Sequence, residues 1–133
     1  MTQKRIGTII TPPGAFVDAH EKIAADFLAT EFGADITFLV PNRQKGRKTP
    51  DIEMYGLLWE IKSPKGKGAR TIENTLRDAV KQSPYVILDL RRMDGRIPTK
   101  KHVDRIEAQF FANKSIKHIT IITREEKTID FKR

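Results

Sequence analysis

The apolar positions of this chain change period several times, and each change marks an element. From Asp18 to Phe32, Ile23, Ala24, Phe27 and Leu28 recur at helical spacing, and Gly33 stands where a helix C-terminus needs a left-handed residue. Ahead of that helix, Ile9-Ile10 reads as a short strand or extended arm, and Thr11-Pro12-Pro13-Gly14 as a turn. Ile36 to Val40 reads as a strand, and Pro41 to Lys48 as a polar loop carrying Arg43, Lys45, Arg47 and Lys48. Apolar runs then flank Tyr55-Gly56, which predicts a tight β-hairpin. Helical spacing returns from Thr71 to Gln82, with Ile72, Leu76, Ala79 and Val80 on one stripe and Arg70, Asn74, Arg77 and Lys81 forming a basic ridge on another face. Tyr85 to Leu88 is an unbroken apolar run after a helical crossover, which predicts a buried strand parallel to an earlier one. A third helix is expected over Thr99 to Asn113, burying Val103, Ile106 and Phe110, followed by strands at His118 to Thr123 and Lys127 to Phe131. The order predicts an α/β fold: a single mixed β-sheet flanked by helices.

The hairpin carries the candidate chemistry. With the turn centred on Tyr55-Gly56, facing residues have numbers that sum to 111, so Asp51 is expected opposite Glu60. Lys62 lies two residues beyond Glu60 and shares its face. Two carboxylates and one ammonium are the minimum set for seating a divalent metal beside a phosphodiester and meeting the charge that develops on cleavage. The Ile61 carbonyl could add an oxygen. Glu21 borders the buried face of the first helix and could reach the same place, although it reads equally as a first-turn carboxylate favoured by the helix dipole. Glu-x-Lys alone is a weak motif, since polar residues alternate on any half-exposed strand.

Composition narrows the partner. The 133 residues suffice for one domain, and a formal charge of +8 favours a polyanion. Much of that surplus lies near the hairpin. Lys65 and Lys67 follow the Glu-x-Lys strand in a flexible basic loop, and with Arg70, Arg77, Lys81, Gln82 and Arg91 they are the candidate substrate contacts. Arg91 ends an apolar strand, a usual place for ligand contacts in α/β sheets. Gln82 and Ser83 also read as helix-terminal caps.

The absence of cysteine excludes disulfides and thiolate zinc sites and fits a reducing cytoplasm. No hydrophobic run approaches a membrane span, and Met1 to Gly7 lacks a signal-peptide core, so a membrane is not an expected partner. Neither a Ser-His-Asp set nor a phosphate-binding Gly-rich fingerprint is present; Gly66-Lys67-Gly68 is too short. His20 reads as a cap or packing residue, and His102 and His118 as structural or surface residues.

Pro50-Asp51 followed by Glu60-Ile61-Lys62 resembles the PD-(D/E)XK nuclease pattern, with Glu21 in the place of its helical acidic residue. The longer string is more specific: Trp59-Glu60-Ile61-Lys62-Ser63-Pro64, Thr71-Ile72, Lys81-Gln82-Ser83-Pro84 and Leu88-Asp89-Leu90-Arg91. It resembles the C-terminal tRNase toxin domain of contact-dependent growth-inhibition proteins of the CdiA type, over nearly the whole chain. The resemblance implies one nuclease domain across residues 1–133, with Glu21, Asp51, Glu60 and Lys62 catalytic and Glu21, Asp51 and Glu60 holding a divalent metal. Mg²⁺ follows from ligand hardness, with Zn²⁺ or Mn²⁺ as alternatives. It further implies action on tRNA in a competitor's cytoplasm and a cognate immunity protein. The chain shows no delivery modules, so it is expected to be an excised domain or a free-standing relative. Few aromatic residues are left over for base stacking, which favours grip through phosphates and shape. DNA cleavage by a mobile-element nuclease, a non-catalytic RNA-binding module and a scaffold for an acidic protein are the competing readings.

Overall fold

The structure is a computed structural model that describes residues 5–41 and 49–133. The basic loop expected from Pro41 to Lys48 lies, beyond its first residue, outside them. Among the described residues the fold is α/β, with three helices and seven strands in a mixed sheet whose strand order follows the chain. The chain divides into two compact units, Met1–Trp59 and Glu60–Arg133.

In the first unit, β1 (Ile9–Ile10) pairs in parallel with β2 (Ile36–Phe38), and the helix α1 (Ala19–Phe32) connects them. Asp18 caps α1: its carboxylate accepts from the His20 amide at 2.7 Å, and Glu21 accepts from the Asp18 amide at 3.1 Å, closing a capping box. Gly33 ends the helix at φ +63°, as its place in the sequence requires. The buried stripe is Ala24, Ala25, Leu28 and Ala29, whereas Ile23 is exposed. The small residues form the contact face, so the expected stripe is rotated by about one position. A tight fit accompanies this: a Cβ added at Gly7 would lie 1.7 Å from the Ala34 carbonyl oxygen, so only glycine fits there. β2 stops at Phe38 instead of Val40; Val40 is exposed, and Pro41 has no amide to donate.

β3 (Ile52–Met54) and the first half of β4 (Leu57–Lys62) form the hairpin. Tyr55 and Gly56 both have positive φ, 56° and 75°, the two-residue turn whose twist matches paired strands. The pairs Ile52↔Trp59, Glu53↔Leu58 and Met54↔Leu57 follow, in the expected register. The Trp59 indole N–H closes the hairpin on the Met54 carbonyl at 3.0 Å.

In the second unit, α2 (Ala69–Val80) leads into β5 (Tyr85–Asp89), α3 (Thr99–Ala112), β6 (His118–Ile122) and β7 (Thr128–Lys132). β5 and β6 are parallel across the α3 crossover, so the parallel partner of β5 in this unit is the later strand; β7 returns antiparallel to β6. Ile72, Leu76, Val86, Leu88, Ile106, Phe110, Ile119 and Ile121 form the centre of its core. α2 starts and ends two residues earlier than its pattern predicts. Pro84 disfavours helical geometry at Ser83, and the amides of Gln82 and Ser83 both bond back to the Ala79 carbonyl, tightening the exit.

Candidate active site

Glu21 and Asp51 come together in the first unit. Glu21 is held by the first turn of α1, and Asp51 stands just before β3, where its amide bonds to the Trp59 carbonyl at 2.9 Å. Burial, a hydrogen bond to the Asp51 side chain and the charge of Asp51 push the Glu21 carboxyl up to about 7. Two carboxyls within hydrogen-bond reach cannot both ionise cheaply, so the pair retains a proton near neutrality. Glu21 thus completes the helix cap and also faces a second acid.

Glu60, Lys62 and Gln82 come together in the second unit. Glu60 and Lys62 alternate along β4, and Gln82 follows the tightened end of α2. The Glu60 side chain is almost fully buried, yet one oxygen, Oε2, accepts from Gln82 Nε2 at 2.5 Å and lies 3.4 Å from Lys62 Nζ. A buried carboxylate is tolerable only with such partners. Lys62 remains partly open, and a cavity of about 160 Å³ adjoins it, lined by Ser63, Pro64, Thr75 and Asp78 as well.

The remaining candidates divide. Lys65, Lys67, Arg70, Arg77 and Lys81 are exposed; Lys81 stands 3.8 Å from Asp78, and Arg77 donates to Asn74 at 3.2 Å. The loop Ser63 to Gly68, expected to be flexible, is tied down. Arg92 donates to the Ser63 carbonyl at 3.1 Å, the Asp94 amide to the Gly66 carbonyl at 2.8 Å, and Gly66 pairs with Met93. The segment after β5 supplies these bonds, a partner the loop's own composition does not reveal.

Arg91 makes two hydrogen bonds from its guanidinium to Asp89, at 2.9 and 2.8 Å, so it is first a structural ion pair. Sequence reasoning overlooked Asp89 in this role, although two residues of spacing at a strand end was the available signal. His20 is half-buried in the first turn of α1, His102 is fully buried, and His118 pairs with Asp130 at 2.8 Å.

Among the described residues, no group of three or more His, Cys, Asp or Glu side chains is placed to hold a metal ion. The Glu21–Asp51 pair nonetheless offers two hard oxygen donors, which suit Mg²⁺ or Mn²⁺ better than Zn²⁺. A cation taking the place of the shared proton would complete its shell with water, backbone carbonyls or substrate oxygens, as Mg²⁺ ordinarily does. Also among the described residues, no helix is long and apolar enough to cross a membrane.

Residues 48–128 match the family of the contact-dependent growth inhibition CdiA C-terminal domain, a segment that includes Asp51, Glu60, Lys62, Gln82 and Arg91. The chain belongs to this family. It is thus a toxin domain of interbacterial growth inhibition. A solved structure described as "CdiA-CT/CdiI toxin and immunity complex from Burkholderia pseudomallei" contains a chain that aligns with a TM-score of 0.66 at 17% identity, covering 96% of this chain and 100% of that one. At that identity the likeness establishes a shared fold. No curated protein matches the sequence.

Proposed function

We propose that this CdiA C-terminal domain is a metal-assisted endoribonuclease that cleaves tRNA inside a competing cell, through a PD-(D/E)XK-type set of Glu21, Asp51, Glu60 and Lys62. The observation that carries this reading is the buried Glu60 held by Lys62 and Gln82, in a segment matched by the family. The hairpin supports it as far as its ladder runs: the pairs from Met54↔Leu57 to Ile52↔Trp59 keep the expected sum of 111, and Asp51 follows with its amide on the Trp59 carbonyl.

In this reading Glu21 and Asp51 would hold the metal, which would supply a bound water of lowered pKa and neutralise phosphate charge, with Glu60 as the third acid of the set. Lys62 orients that water and offsets charge at phosphorus. Gln82 fixes the Glu60 rotamer. Lys65, Lys67, Arg70, Arg77 and Lys81 hold the RNA backbone, with Arg91 behind them, so affinity falls steeply with salt. A cognate immunity protein is proposed in parallel with the toxin and immunity complex named above.

The test is cleavage of total tRNA by the purified chain, with plasmid DNA alongside and end-mapping of RNA from expressing cells. Lys62→Ala is expected to slow cleavage by roughly 10²–10³ while leaving the fold intact. Undiminished cleavage by that variant would remove Lys62 from the site; intact tRNA beside nicked plasmid would move the reading to DNA.

A further inference from the structure

The cavity beside Lys62 has a chemistry that neither a bare anion nor a bare cation satisfies. Its walls carry one ammonium (Lys62), one carboxylate (Asp78), two hydroxyl side chains (Ser63 and Thr75) and the ring of Pro64, which is buried. A phosphate alone would meet the Asp78 charge, and a metal ion alone would meet Lys62. A molecule with phosphate at one end and N–H donors at the other satisfies both. At about 160 Å³ the space suits one flat heterocycle, below the roughly 300 Å³ at which ligand pockets usually begin.

We propose that this cavity is a base-reading subsite that seats a guanine beside the scissile phosphate, with the Asp78 carboxylate accepting from its N1–H and N2–H. The subsite's place beside a cleaved phosphate rests on the nuclease reading. An ionised carboxylate only accepts, with two oxygens side by side. The Watson–Crick edge of guanine presents two adjacent N–H donors to match. Adenine and cytosine each place an acceptor nitrogen next to their single amino group, and uracil sets its one N–H between two carbonyls. Unstacked RNA bases are read through these edges.

The walls are built to hold shape. Thr75 and Asp78 are three residues apart on α2 and so share a face. Lys81 Nζ lies 3.8 Å from Asp78 in a pair whose side chains are both more than half exposed, and Arg92 donates to the carbonyl of Ser63. The Pro64 ring forms the apolar part of the wall. The sugar and phosphate stay outside, towards Lys62.

The experiment uses the full chain in two arms. In the first, cleavage positions are mapped on RNA, and one cleaved substrate is remade with inosine, which lacks N2–H, in place of the flanking guanine. A guanine flank at cleaved positions is expected. Inosine, and separately Asp78→Asn, are each expected to cut the rate roughly 10- to 100-fold at that position. In the second, guanosine 5′-monophosphate and uridine 5′-monophosphate are titrated while the amide signals of Thr75 and Asp78 are followed. Guanosine monophosphate is expected to shift them, uridine monophosphate not, and Asp78→Asn to abolish the difference. Cleavage indifferent to the flanking base and to Asp78→Asn overturns the proposal, as does equal response to the two nucleotides. If the wild type cuts no RNA, the nuclease reading falls, and the titration alone decides whether the cavity reads guanine.

Discussion

Replacing Glu21 by Gln isolates the carboxyl pair. Gln serves a capping box as well as Glu does, so the helix start is preserved and only the titrating group is lost. In the folded chain Glu21 rises from 4.5 to about 7, a difference of about 2.5 units. At about 1.4 kcal/mol per pH unit, that caps the folding penalty at about 3–4 kcal/mol. Glu21 is only half-buried, and solvent screening reduces the figure to about 1–2 kcal/mol. The sign follows from linkage. Below pH 4.5 both folded and unfolded chains hold the proton and no penalty exists. Between pH 4.5 and 7 the unfolded chain ionises first, so wild-type stability falls; above 7 the penalty is complete. The Glu21→Gln variant escapes it. Urea denaturation at pH 4, 6 and 8.5 should therefore show nearly equal midpoints at pH 4. At pH 8.5 the variant midpoint should be higher by about 0.5–1 M, for a slope near 2 kcal/mol per M. A difference that did not change with pH would refute the paired-acid argument.

Metal binding should reveal the same proton. Mg²⁺ displaces it, so affinity should rise as pH climbs through 7, and calorimetric heats should change between buffers of different ionisation enthalpy; buffer-independent heats would exclude Glu21 as a ligand. Gly7→Ala places a Cβ against the Ala34 backbone and should cost about 2–3 kcal/mol in urea denaturation. Gly56→Ala meets nothing within 4 Å but keeps φ +75°, and should cost only about 1 kcal/mol. Asp89→Asn leaves the Arg91 guanidinium without its charge partner in a largely buried setting and should destabilise by about 2 kcal/mol; an unchanged midpoint would mean that Arg91 turns freely to water.

Features set by neighbours along the chain were legible from the sequence. Asp18 and Gly33 bracket α1, and Tyr55-Gly56 fixes the hairpin, because caps and tight turns act over a few residues. The coming together of Glu60 with Lys62 followed from strand alternation. What depended on distant segments stayed hidden. Ile23 and Ala25 exchange roles because close packing selects small residues, which hydrophobicity does not rank. The loop at Ser63 is fastened by Arg92, Met93 and Asp94, nearly thirty residues away. The partnership of Glu60 with Gln82 bridges twenty-two residues and rests on how α2 ends.

The two positive-φ residues at Tyr55-Gly56 make the hairpin behave like a gear with a tooth pitch of one residue. Adding or deleting a single amino acid between Met54 and Leu57 would advance the second strand by one tooth against the first. Side chains on that strand would trade sides, Trp59 going where Glu60 had pointed. Under the proposed nuclease reading, a frame-preserving indel at this spot would disarm the toxin without altering any acidic or basic residue.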